Sequence, residues 1–378
     1  MHPDLRSCDP FSLAAPGVRG LRPYQPGKPE SELRRELGLK RIVKLASNEN
    51  PLGPGPLALA AARDSLAEVH RYPDGNGFAL KQALARHHDV DPAMITLGNG
   101  SNDVLELIAR AFLSPGQEAV YSAHAFAVYP LVTRAIGAVG REASALAPDS
   151  AMPHGHDLAA MQAQIGEHTR LVFIANPNNP TGTWVKANTL EAFLAALPEH
   201  VLAVVDEAYC DYVERPGFPD ASQWLGRFPN LIVTRTFSKA HGLAGLRVGY
   251  SLSQPAVADL LNRVRQPFNV NIPALAAAEA ALADHDYLAR SRALNRAGMA
   301  QLGEALTGFG FRVLPSLGNF LCVAVDRPGR ELFDALLRQG VIVRPVDNYG
   351  LENFLRISIG TEDENRALIE ALQRILAF

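Results

Sequence analysis

Cysteine is scarce in this chain: three residues in 378, Cys8, Cys210 and Cys322. So few, odd in number and far apart, they offer neither a disulfide framework nor a cysteine-based zinc site. A reducing cytoplasm is the expected setting. Long apolar runs are missing too. Nothing approaches the 18 or so residues a membrane-spanning helix needs, so no membrane association is expected. The opening stretch, MHPDLRSCDPFSLAAPG, has Pro and Asp where a secretory signal has basic residues and an apolar centre. No sign of charge dominates either. Lys and Arg number 36 against 39 Asp and Glu, a net charge of −3, which leaves no basic footprint for nucleic acid. A small anionic ligand must then be held by local arginines. There is no internal repeat and no low-complexity linker. His154 and His156 stand close enough to chelate a metal, but they read as solvated loop residues, and no metal is expected.

What remains is an ordinary globular composition, 47% hydrophobic and 20% charged, with length enough for two domains. Residues 1–45, rich in Pro, Gly and charge, read as an N-terminal arm with one helical patch at SELRREL. Residues 46–272 alternate apolar runs with helical segments. MITLG, EAVYS, LVFIA, VLAVVDE, LIVTRT and RVGYSLS read as strands, with helices near 57–69, 78–88, 102–113, 186–197 and 254–265. Short buried strands alternating with helices predict an α/β fold, a mostly parallel sheet covered on both faces. The Ala-rich stretch 273–307 reads as one linking helix. Residues 273–378 as a whole form a smaller C-terminal α+β unit, with NFLCVAV, VIVRP and FLRISIG as strands around the helix ELFDALLRQG.

The chemistry concentrates in a few motifs. TRTFSKAHGLAGLRVGY holds Lys239 with Arg247 eight residues on. VVDEAY ends an apolar run in Asp206, with Tyr209 three residues later. NPNNPTG holds Asn179, and ITLGNGSNDVLEL reads as strand, turn and helix, with Ser101 and Asn102 at the helix start. Each has a plain alternative: a surface lysine, a turn-capping aspartate, an Asn-Pro turn, a simple N-cap. Together they supply an amine that can form an imine, a carboxylate for a ring nitrogen, a phenol, an amide, and a phosphate site at a helix N-terminus. Pyridoxal 5'-phosphate (PLP) needs this set.

These motifs, with KLASNENPLGP, RYPDGNG and FLRISIGT, occur in the order found in the fold-type I PLP-dependent aminotransferases of classes I and II. The chain resembles that family from about residue 20 to its end. VRGLRPYQPGKP and VIVRPVDNYGLENFLRISIGT resemble the branch acting on histidinol phosphate in histidine biosynthesis. The resemblance implies that Lys239 bonds to the cofactor and moves the substrate proton. It implies that Asp206 pairs with the pyridinium nitrogen, and that Asn179 and Tyr209 hold the 3-oxygen. Ser101, Asn102, Thr236, Ser238 and Arg247 would bind the cofactor phosphate, and Phe126 would stack on the ring. Tyr72 would reach the cofactor of a second subunit, which implies a homodimer. Tyr24, Asn179, Arg344 and Arg356 would bind substrate, an amino donor or a 2-oxo acid. Aromatic or broad-specificity aminotransferases, and PLP-dependent decarboxylases of an amino-acid phosphate such as threonine phosphate, share most of these motifs. A regulatory PLP-binding module is disfavoured by the complete Lys239 set and the lack of an attached DNA-binding segment.

Overall fold

The computed structural model describes residues 9–21, 28–39 and 41–376. A short strand β1 (Val43–Lys44) leads into a seven-stranded sheet of β2 (Ile95–Gly98), β3 (Glu118–Ser122), β4 (Val139–Ala143), β5 (Thr169–Ala175), β6 (Leu202–Asp206), β7 (Leu231–Thr236) and β8 (Gly249–Leu252). The order is β2-β8-β7-β6-β5-β3-β4, and β8 alone runs against the rest. The six strands read from the sequence are all present. β4 was not expected. Its residues VGREA sit at the sheet edge and are largely exposed, so they carry none of the apolar signal of a buried strand.

The central strands are apolar because both faces are covered. In β6, Ala203 and Val205 enter the core on one face, and Leu202 and Val204 the core on the other. This is the period-2 alternation of a strand read on two buried sides. Each such buried Val contributes about 1.5–3 kcal/mol relative to an exposed one.

The Ala-rich stretch is two helices, Ile272–Leu282 and His285–Gly308, rather than one. Asp284 divides them. Its Oδ1 accepts from Tyr287 N at 3.2 Å, capping the second helix, and its Oδ2 accepts from Leu57 N at 3.4 Å. Helix propensity gave no warning of this cap. Ala274, Ala277, Ala278 and Ala281 of the first helix pack into the large-sheet core.

The C-terminal part holds β9 (Arg312–Val313), β10 (Phe320–Ala324), β11 (Val341–Ile342), β12 (Arg344–Val346) and β13 (Leu351–Ser358). β12-β13-β10-β9 form an antiparallel sheet with its own apolar core, and β11 pairs in parallel with β1. VIVRP, expected as one strand, is thus shared between two sheets. Among the described residues no helix is long and apolar enough to cross a membrane.

Candidate active site

The ends of the strands build the site. β2, β3, β5, β6 and β7 deliver, just past their C-terminal ends, Ser101, Phe126, Asn179, Tyr209 and Lys239, with Asp206 the last residue of β6. β8 runs the other way, so Arg247, which precedes it, comes to the same edge. Open α/β sheets bind ligands at this edge. Here the residues line a cavity of about 260 Å³ that β12 and β13 close with Arg344 and Arg356.

One end of the cavity gathers groups that suit an anion. The helix Ser101–Phe112 starts after Gly100 with no side-chain cap, so its first N–H groups are free of an intrahelical partner. Gly100 has φ +85°, and a Cβ there would lie 2.2 Å from Arg247 Nη2. Only glycine lets the guanidinium come so close to the helix terminus. Arg247 itself has φ +58°, a costly conformation for a side chain of its size. Its Nη1 donates to Ser238 Oγ at 3.2 Å and to the Ala244 carbonyl at 2.9 Å. Thr236 Oγ1 donates to Ser238 Oγ at 3.0 Å, which completes a hydroxyl pair beside the cation.

The middle of the cavity holds the reactive groups. Lys239 Nζ donates to the Ser47 carbonyl at 3.4 Å and lies 5.7 Å from the Tyr209 ring centroid. Burial first, then the Arg356 charge, bring its amine down to about 8. Asp206 is buried, with one carboxylate oxygen, Oδ1, lacking any hydrogen-bond partner. Burial pushes its carboxyl upward. The Tyr209 hydroxyl accepts from Asn48 Nδ2 at 2.9 Å, and burial raises its phenol to about 12. At the far end Arg356 Nη1 donates to Asn179 Oδ1 and Nη2 to the Ala46 carbonyl, both at 2.6 Å.

Twelve of the residues singled out in the sequence meet at this cavity: Ser101, Asn102, Phe126, Asn179, Asp206, Tyr209, Thr236, Ser238, Lys239, Arg247, Arg344 and Arg356. Tyr72 is not among them. It is 81% exposed and stacks on Phe268 with ring centroids 4.7 Å apart. Tyr24 lies outside the described residues. His156 is not solvated, and His154 is only partly so. His156 is buried with Nε2 2.9 Å from the Ala175 carbonyl, and burial lowers its imidazole to about 4. His154 Nε2 is buried as well. Among the described residues no group of three or more His, Cys, Asp or Glu is arranged to hold a metal ion. Two residues escaped the sequence reading. Asn48 lies inside the quoted KLASNENPLGP, but its φ of +53° and its bond to Tyr209 have no local signature. Tyr129, three residues after Phe126, meets Asp206 only through the fold.

Residues 40–372 match the family described as aminotransferase class I and II. The chain belongs to that family. This aminotransferase is 60% identical over 371 residues, 98% of its length and 99% of the relative's, to histidinol-phosphate aminotransferase 2 of Pseudomonas aeruginosa. It is 59% identical to the protein of the same name in Methylococcus capsulatus, over 97% of this chain and 98% of that one. Among solved structures, histidinol-phosphate aminotransferase of Sinorhizobium meliloti in complex with pyridoxal-5'-phosphate superposes with a TM-score of 0.87 at 32% identity. It covers 97% of this chain and 98% of that one. A Thermus thermophilus aspartate aminotransferase variant, at 23% identity and TM-score 0.83, shares the fold.

Proposed function

We propose that this aminotransferase uses PLP to convert L-histidinol phosphate and 2-oxoglutarate into imidazole acetol phosphate and L-glutamate. The observation that carries the choice of donor is a pair of arginines. Arg344 of β12 and Arg356 of β13 are direct register partners, and both line the cavity. Like charges opposite each other across a sheet repel. Two guanidiniums at one end of a cavity therefore favour a dianion, such as a phosphate ester, and each can bind it bidentately. The near-full-length similarity to proteins named histidinol-phosphate aminotransferase supports the same reading.

The residues fit the cofactor. The uncapped helix terminus with Thr236, Ser238 and Arg247 suits its phosphate, and the unpartnered Asp206 Oδ1 suits a protonated ring nitrogen. Asn179 gives its carbonyl oxygen to Arg356, which leaves the amide N–H₂ to donate to the 3-oxygen. Tyr209 accepts from Asn48, which leaves its own O–H for the same atom. Phe126 would cover one face of the ring, and Ser101 and Asn102 would meet the phosphate. Bound PLP supplies an aldehyde carbon for the amine and a cationic ring that takes up electron density as a Cα–H bond breaks. Lys239 would hold the cofactor at rest. The neutral Lys239 amine would take the proton from the substrate Cα. Arg356 orients the substrate in both half-reactions, on a phosphate ester or on a carboxylate.

A homodimer is part of the proposal. Leu52, Leu57, Leu66, Val69, Tyr72 and Phe78, all within residues 52–78, are exposed. Such an apolar surface is what a subunit interface covers. We also propose an N-terminal arm to residue 45, a large PLP-binding domain and a small C-terminal domain. The packing of Ile272–Leu282 on the large core supports a junction at Asp284 rather than at 273.

The test is a panel of amino donors with 2-oxoglutarate, compared by kcat/KM. Histidinol phosphate is expected to exceed phenylalanine and tyrosine by at least about tenfold, the effect of 1.4 kcal/mol. Equal values would identify a broad-specificity aminotransferase. Carbon dioxide release from threonine phosphate would identify a lyase.

A further inference from the structure

We propose that Tyr129 is a positioning residue for Asp206: its hydroxyl pins one carboxylate oxygen so that the other stays ionised and aimed into the cavity. The inference rests on the reading of Asp206 as the partner of the cofactor's ring nitrogen.

Tyr129 belongs to the helix Val128–Ala135, is fully buried and does not line the cavity. Its ring is stacked on Phe173 of β5, with centroids 4.8 Å apart and planes 6° from parallel. Phe126 meets it edge-on at 5.9 Å. Held in this slot, the Oη donates to Asp206 Oδ2 at 2.9 Å. Asp206 Oδ1 is buried without a partner. The two oxygens of one carboxylate are thus treated differently. One is bound to a neutral donor fixed by ring packing. The other has no hydrogen-bond partner, and Asp206 is among the residues that line the cavity.

A buried carboxylate with one bare oxygen is costly unless a donor, above all a cationic one, meets it. Burial favours the protonated acid, and donation from Tyr129 opposes this most, with Thr234, the Ala208 backbone and the Lys239 charge adding to it. The less basic the carboxylate, the more firmly a shared proton stays on the ring nitrogen. The Tyr129 phenol is raised well above its ordinary range by burial and by the Asp206 charge, so it remains a donor throughout the working pH range. Removing this one hydroxyl should leave Asp206 in place but shift the proton from ring nitrogen toward carboxylate.

The measurement is the ¹⁵N signal of ring-labelled PLP in the holoenzyme, compared for wild type, Tyr129→Phe, Phe173→Leu and Asp206→Asn. Tyr129→Phe should move the signal part of the way to that of Asp206→Asn. It should also lower the rate of both half-reactions by about ten- to a hundredfold, the range for losing a hydrogen bond to a charged group. Phe173→Leu, which loosens the slot but keeps the hydroxyl, should shift the signal clearly less than Tyr129→Phe does. If Tyr129→Phe releases the cofactor, borohydride reduction onto Lys239 keeps the ring in place for the same reading. A wild-type signal in Tyr129→Phe, beside a shifted one in Asp206→Asn, overturns the role of Tyr129. So does a Phe173→Leu shift as large as that of Tyr129→Phe, since packing alone would then account for it. An unshifted Asp206→Asn would instead overturn the ring-nitrogen reading of Asp206.

Discussion

At Lys239, burial and charge act together. Loss of water disfavours its cationic form, and Arg356 and Arg247 add to this, while Glu49 and Asp206 oppose it. The result, about 8, puts the amine within reach of its neutral, nucleophilic form near physiological pH. The sign sets a prediction. Below that value the amine is protonated and inert, and above it the amine is free to attack. In the cofactor-free protein, modification of Lys239 by an amine-selective acylating reagent, followed by peptide mass, should rise with pH through a midpoint near 8. In Arg356→Ala the midpoint should move up, because a neighbouring cation is gone. A wild-type midpoint at the ordinary 10.5 would contradict the desolvated lysine. The TFSKAHGLAGLRVGY run identifies this lysine. It does not report the shift, because Arg356 arrives from a strand of another sheet.

Strands and helices decide which charges meet. Arg344 and Arg356 belong to adjacent strands, and their pairing is a matter of register. In the sequence they were two separate candidates. The pairing makes a sharper expectation. Arg356 reaches Asn179 and should serve both half-reactions, whereas Arg344 should matter mainly for the doubly charged phosphate ester. Truncating one partner of a desolvated charge pair costs about 2–5 kcal/mol, roughly thirty- to four-thousandfold. Arg344 is only partly buried, so the lower part of that range applies. Arg344→Ala should lower kcat/KM for histidinol phosphate by about thirty- to a hundredfold and change the glutamate half-reaction far less. Arg356→Ala should lower both. Single-turnover kinetics of each half-reaction make the comparison, and equal losses in Arg344→Ala would show that Arg344 is no selective phosphate ligand. Element boundaries were legible where the apolar pattern was strong, as in β6 and β7. They were lost at β4, whose exposed edge has no such pattern, and at Asp284, where a cap breaks an otherwise helix-favouring run.

For the whole molecule, Tyr72 is the residue a single chain leaves unexplained. It is exposed, outside the cavity, and stacked on Phe268, which itself carries a strained φ of +58°. A second subunit resolves this if Tyr72 completes the partner's phosphate site. Tyr72→Phe should then weaken PLP retention by about ten- to a hundredfold, one charge-assisted hydrogen bond, with the fold and the stack unchanged. Equilibrium dialysis of the cofactor reads the first effect, and circular dichroism checks the second. A fully active monomer in sedimentation at assay concentration would refute shared sites.

By itself the sequence determined the kind of fold and the identity of most groups at the cavity. Alternating buried strands and helices force a covered parallel sheet, and the motifs sit at strand ends, where their order along the chain becomes neighbourhood in space. Only the tertiary structure decided what those groups do to one another. The unpartnered oxygen of Asp206, the hydroxyl of Tyr129 against its twin oxygen, the depressed Lys239 amine and the paired arginines all arise between residues distant in sequence. Their energies depend on burial and on separations of a few ångströms, and no local pattern of residues encodes either.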